Sequence, residues 1–229
     1  MFVLTPVLGA ILALSPITTS TVALDNLRAG NARFVAGQTL HPNQSVDRRT
    51  EVAAGQKPFA IVLTCADSRL SPEILFDQGL GDLFVIRVAG NVVDSFTLAS
   101  IEYAAEHLGS RLLVVLGHER CGAVKAAIDA KPTKHGKKHE GHIADLVAEI
   151  VPAVTDAKTW GGDLFENAVK ANVLRTAKKI ASGKPPSTMI SSGRLTVIGA
   201  YYDLDSGRVR TLSQSQPKSG SSFIQVHKH

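Results

Sequence analysis

The sequence predicts an α/β domain: a mainly parallel central β-sheet flanked by helices, with an antiparallel hairpin at its C-terminal edge. Three observations carry this. Short, continuous apolar runs such as Phe59-Ala60-Ile61-Val62-Leu63-Thr64 fit strands buried on both faces. Helical stretches ended by glycine alternate with those runs, which is the pattern of a parallel sheet covered by helices. Residues that carry chemistry cluster just past two of the runs, where sheets of this kind form their sites.

The elements follow in order. Residues 24–36 read as a helix, with Leu24, Leu27 and Phe34 on one side and Gly37 as its stop. Residues 41–49 are polar, contain Pro42 and read as a loop; residues 50–54 form a short helix before Gly55. The first strand covers residues 59–64. Ser71-Pro72-Glu73 reads as a helix start, with Ser71 as cap, Pro72 at the first helical position and Glu73 at the positive end of the dipole. Residues 83–88 are the second strand, and Ala89-Gly90-Asn91 is the bend after it. A helix at 96–107 stops at Gly109. The third strand, 112–116, delivers His118, and the chain continues as a helix over 121–129. Helices follow at 143–157 and 163–181, the second ended by Gly183 and Pro185-Pro186. Residues 195–204 are a strand, Asp205-Ser206-Gly207 a turn, and 208–212 pair back as the edge. The domain is expected over 24–212, with a flexible tail at 213–229.

The 229 residues suffice for one sizeable core, and 44% hydrophobic with 20% charged content is ordinary for a globular domain. The net charge of +5 and pI near 9.3 are weak pointers to nucleic acid, because the bases are scattered apart from residues 131–138. No nucleic-acid partner is expected. The three histidines at 135, 139 and 142 read as a solvated loop rather than a second metal site. Residues 2–17 are mostly apolar, but Pro6 and Pro16 interrupt them and they are too short for stable membrane insertion. They resemble the apolar part of a secretory signal, and Thr21-Val22-Ala23 resembles a cleavage site, although no Lys or Arg precedes the run. Export to the periplasm with cleavage near Ala23 is the expectation, and a cytoplasmic location the alternative.

Both cysteines of the chain lie in the two motifs Cys65-Ala66-Asp67-Ser68-Arg69 and His118-Glu119-Arg120-Cys121. Two thiolates and an imidazole are a zinc-ligand inventory, so Cys65, His118 and Cys121 are expected to hold Zn2+. A closed structural site would need a fourth Cys or His, and no cysteine remains. The fourth position falls to Asp67 or to a water, and an exchangeable position is the pattern of a catalytic zinc. Arg69 decides between them: a guanidinium holding the Asp67 carboxylate with two parallel hydrogen bonds keeps it off the metal, and releasing it closes the site. Two thiolates cancel the charge of the ion, so activity is expected to rise on the alkaline side of neutrality.

These residues resemble the β-class carbonic anhydrases. The Cys-x-Asp-x-Arg motif reads as Cys65, Asp67 and Arg69, and the His-x-x-Cys motif as His118 and Cys121, followed by Gly122-Ala123-Val124. The likeness runs from Leu24-Asp25-Asn26-Leu27 through Gly81-Asp82-Leu83-Phe84 to Gly199-Ala200-Tyr201-Tyr202-Asp203-Leu204. It implies reversible hydration of CO2 to bicarbonate and a proton, by attack of zinc-bound hydroxide. It also implies a homodimer or larger homo-oligomer, with Gln56 reaching the substrate of the partner and with Phe84, Ala89, Gly90 and Tyr103 lining the CO2 pocket. One departure is Val62, where members with an allosteric bicarbonate site carry Trp; no bicarbonate-locked state is expected. Hydrolysis of CS2 or COS on the same scaffold is the enzymatic rival. A non-catalytic zinc-binding module is the rival of another class, and it would have no use for Arg69 beside Asp67.

Overall fold

The computed structural model describes residues 19–130 and 141–212. Its centre is one five-stranded sheet in the order β2-β1-β3-β4-β5, built from β1 (Ala60–Thr64), β2 (Leu83–Arg87), β3 (Leu112–His118), β4 (Thr196–Tyr202) and β5 (Val209–Leu212). The first four strands pair in parallel and β5 pairs antiparallel with β4. The predicted fold class, including its edge hairpin, is the observed one.

Every residue of β1 and β3 is buried, which is why both read as unbroken apolar runs instead of alternating ones. The side-chain period of two divides them between two cores. Ala60, Val62, Leu112, Val114 and Leu116 face one side, with the buried residues of α1 (Ser20–Val35), α5 (Gly122–Asp129) and α6 (His142–Ala157). Ile61, Leu63, Leu113 and Val115 face the other, with residues of α4 (Ser95–Glu106), α8 (Pro186–Ser191) and the C-terminal half of α7 (Leu164–Ser182). Among the described residues no helix is long and apolar enough to cross a membrane.

Several boundaries differ from the sequence reading, mostly because a cap lay upstream of the first apolar residue. Helix α1 begins four residues early, where the Thr19 hydroxyl accepts from Val22 N at 3.2 Å. Thr21-Val22-Ala23 therefore lies in its first turn, and Ala23 is fully buried. Helix α2 (Val46–Val52) replaces part of the expected loop because Ser45 caps Arg48 N at 3.1 Å. Ser71 was expected to cap α3 (Pro72–Leu75), but its side chain makes no such bond and the helix is one turn long. Helix α7 ends at Ser182 with Gly183 as its cap, as expected, but the prolines are followed by a further helix: Pro186 opens α8, a position where its missing N–H costs nothing. Strand β4 ends at Tyr202, since Asp203 Oδ1 accepts from Asp205 N and Ser206 N and starts the turn. The loop histidines 135 and 139 and the tail from 213 lie outside the described residues; His142 is exposed beside Asp145.

Candidate metal centre

Parallel pairing of β1 with β3 sets Thr64 opposite Leu116, and the Thr64 hydroxyl donates to Leu116 O at 2.9 Å. The next residues on each chain are Cys65 and the Gly117-His118 pair, so the two motifs leave the sheet side by side. Cys121 follows as the N-cap of α5, where the backbone N–H groups and the positive dipole end favour a negative sulfur. The ligand atoms of Cys65, His118 and Cys121 all lie within 4.8 Å of one another, and all three residues are buried. Neither cysteine forms a disulfide.

His118 supplies the test of whether a cation fits. Its Nδ1 donates to Glu119 O at 2.8 Å, which fixes the tautomer and leaves Nε2 as a bare lone pair. That Nε2 is buried without a hydrogen-bond partner, an arrangement that costs about 1–3 kcal/mol unless something binds there. The sulfurs point the same way. The Cys65 thiol is drawn down by its hydrogen bond to Cys121, against burial, with the backbone N–H groups of Asp67 and Gly90 adding to the effect. Cys121, beside that sulfur and buried, is pushed up. One sulfur of the pair is favoured as thiolate and the other as thiol, and a divalent cation would supply the charge that favours both as thiolates.

Asp67 stands beside this cluster. Arg69 donates to it from Nε (2.9 Å, Oδ1), from Nη2 (2.7 Å, Oδ2) and from its own backbone N (3.0 Å). Asp67 Oδ2 is 3.8 Å from His118 Nε2. Of the two arrangements open in the sequence, the structure has the one in which Arg69 holds the carboxylate, so Asp67 is not among the three clustered ligands. Those bonds from Arg69 outweigh burial and keep its carboxyl far below the usual carboxylate range.

Other contacts at the centre had no local signal. Arg87 donates to three successive carbonyls of the first motif: Cys65 (3.4 Å), Ala66 (3.2 Å) and Asp67 (2.7 Å). The second motif is tied to the β4–β5 turn. Glu119 Oε2 accepts from Leu204 N at 3.1 Å, and Arg120, at φ 53°, grips Asp205 with bonds of 2.9 and 2.6 Å. A pattern of contacts across 20 to 85 residues is invisible to spacing.

The expected pocket residues divide. Ala89-Gly90-Asn91 forms a 3-10 turn at the cluster, and Gly90 N donates to Cys65 Sγ at 3.3 Å. Phe84 and Tyr103 pack on each other, ring centroids 6.5 Å apart, and Tyr103 is half exposed. Gln56 is exposed between α2 and β1. Among the described residues none of these three has a side-chain hydrogen bond or ring contact with Cys65, His118 or Cys121. Val62 is fully buried in β1.

Comparison with known proteins agrees with this geometry. Residues 60–209 match a family model described as carbonic anhydrase. Carbonic anhydrase 2 of Mycobacterium tuberculosis is 45% identical over 194 residues, which is 84% of this chain and 93% of that protein. The carbonic anhydrase of Mycolicibacterium smegmatis is 42% identical over 205 residues, 86% of this chain and 96% of the relative. Among solved structures, a Coccomyxa β-carbonic anhydrase in complex with acetazolamide superposes with a TM-score of 0.64 at 27% identity, covering 82% of this chain and 84% of that one.

Proposed function

Because the chain belongs to the β-class carbonic anhydrase family, we propose that it catalyses the reversible hydration of carbon dioxide to bicarbonate and a proton. The observation that carries this is the buried, unpaired His118 Nε2 between two cysteines, beside a carboxylate that Arg69 holds away from them. Cys65, His118 and Cys121 would hold Zn2+, the ion that suits two thiolates and an imidazole. When bound it would supply Lewis acidity, which makes a water nucleophilic enough to attack CO2.

The protein's own residues do the rest. Asp67 stays ionised, so it serves as a hydrogen-bond acceptor that orients the attacking water; so low a proton affinity makes it a poor general base. Arg69 fixes the direction of that acceptor. Ala89 and Gly90 wall the centre. Gln56, Phe84 and Tyr103 complete the substrate pocket across a homodimer interface, a reading supported by the exposure of Gln56 and Tyr103 in the single chain. Sedimentation at micromolar concentration tests the dimer.

Export rests on the apolar run at 2–17 and the cleavage-site-like Thr21-Val22-Ala23. Cleavage after Ala23 would cut α1 inside its first turn and discard its Thr19 cap. The mass of the mature N-terminus decides between export and an intact Met1.

The central test is metal analysis with a stopped-flow CO2 hydration assay on the purified protein. The expected result is about one zinc per chain and rapid hydration, both lost in Cys65→Ala, which leaves a single thiolate and a single imidazole for the ion. Full zinc occupancy in Cys65→Ala would refute the ligand assignment.

A further inference from the structure

Gly90 is held at both ends. Its N–H donates to Cys65 Sγ at 3.3 Å, and its carbonyl accepts from Asn172 Nδ2 at 2.7 Å. Asn172 belongs to α7, lies 82 residues away in sequence and is 3% exposed. The glycine itself is in the left-handed region at φ 66°. A glycine there has wide rotational freedom, so its N–H keeps a direction only if something ties the far side of the residue. Asn172 is that tie.

The approach of α7 is itself built in. Val173 packs over two glycines: a Cβ on Gly117 of β3 would stand 2.4 Å from Val173 Cγ2, and one on Gly199 of β4 would stand 2.9 Å from Val173 Cγ1. Only residues without a Cβ let the helix come this close to the sheet, and that closeness carries the neighbouring Asn172 to Gly90 O.

We infer that Asn172 is a positioning residue of the metal centre, which aims the Gly90 N–H at the Cys65 sulfur and so sets how strongly that sulfur donates to the bound cation. The inference rests on the reading of Cys65, His118 and Cys121 as metal ligands. A hydrogen bond to a thiolate withdraws charge from sulfur and fixes its orientation. Outer contacts of this kind are worth about 10–100-fold in metal affinity.

The test uses the full-length protein loaded with Co2+, whose sulfur-to-metal absorption band reports on the thiolates directly. Two variants remove the donor: Asn172→Leu, which keeps the volume, and Asn172→Ala, which keeps the space free of strain. Asn167→Ala is the control, since Asn167 sits on the same helix but donates to Gly161 O at 2.9 Å. The expected result is a band moved to longer wavelength, because a sulfur without its N–H donor is richer in charge, and release of Co2+ to a chelator about tenfold faster or more, because that sulfur is no longer held in place, in Asn172→Leu and Asn172→Ala but not in Asn167→Ala. Folded variants with the wild-type band and release rate overturn the inference, and so does loss of fold in both, which would assign Asn172 to core packing alone. If the wild-type protein itself takes up Co2+ without a sulfur band, it is the ligand reading that fails instead.

Discussion

Asp67 and Arg69 meet through two parallel hydrogen bonds of 2.9 and 2.7 Å, and the carboxylate so held stops 3.8 Å short of His118 Nε2. Two residues apart in sequence, they form a fork that separates an acid from a metal centre it could otherwise close. The geometry is bidentate, which fixes orientation as well as charge.

Removing that fork should cost rate rather than metal. In Arg69→Ala the carboxylate loses its anchor, and kcat/KM for CO2 hydration should fall about a hundredfold, the scale of an ångström-sized misplacement. Zinc content should stay at the wild-type level. Arg69→Lys should recover little, because an ammonium cannot form the fork. Stopped-flow rates beside metal analysis check both, and a fully active Arg69→Ala would remove Arg69 from the machinery.

Arg87 grips the backbone of the first motif at three successive carbonyls. Arg87→Ala leaves those carbonyls to water and loosens the segment that carries Cys65 and Asp67. Release of zinc to a chelator should quicken about tenfold. Unchanged release kinetics would mean that β1 and the sheet alone hold the segment.

Gly90→Ala should destabilise the protein through two separate causes. The left-handed backbone is strained for alanine, at about 1–3 kcal/mol, and the new methyl would stand 2.7 Å from Ile150 Cδ1. Thermal unfolding should move down by several degrees. Adding Ile150→Val removes the clashing methyl and should recover part of the loss, the backbone strain remaining. Complete recovery in the double variant would show that the conformation at position 90 costs nothing.

Asp77 contributes to the response to acid. Its side chain is 1% exposed and accepts from Leu40 N and His41 N at 3.0 Å each and from Arg33. Burial is the largest single influence and raises its pKa, but the hydrogen bonds from Leu40, Arg33 and His41 together outweigh it and the net direction is down. A carboxylate with a lowered folded pKa contributes stability that is complete above its unfolded value, about 3.9, and is lost as pH falls through the folded one. Asp77→Asn keeps the shape and tolerates the positive φ of 46°, so it isolates the charge. It should cost about 2 kcal/mol at pH 7, with the gap to wild type narrowing below about pH 4. Urea midpoints at pH 7, 5 and 3 measure this, and a gap that widens in acid would contradict it.

Much of the metal centre was legible before any coordinates. In a parallel sheet, neighbouring strands end at the same edge. A cysteine just past β1 and a histidine at the end of β3 must therefore meet if those runs are adjacent strands. Local grammar also sufficed for the Asp67–Arg69 fork, because two residues is a separation that side chains can bridge within one loop. It failed at α1 and α2, where Thr19 and Ser45 start helices ahead of any apolar residue, and at α8, which follows directly on two prolines.

The sequence by itself determined the strands, the candidate ligands Cys65, His118 and Cys121 and the carboxylate beside them, since each depends on residue type and short spacing. The tertiary structure alone decided what steadies them: Arg87 on the carbonyls of residues 65–67, Asp205 on Arg120, and Asn172 on Gly90. Those pairs lie 20 to 85 residues apart, and a long-range hydrogen bond depends on where helices and turns come to rest, which only the packing of the whole chain settles.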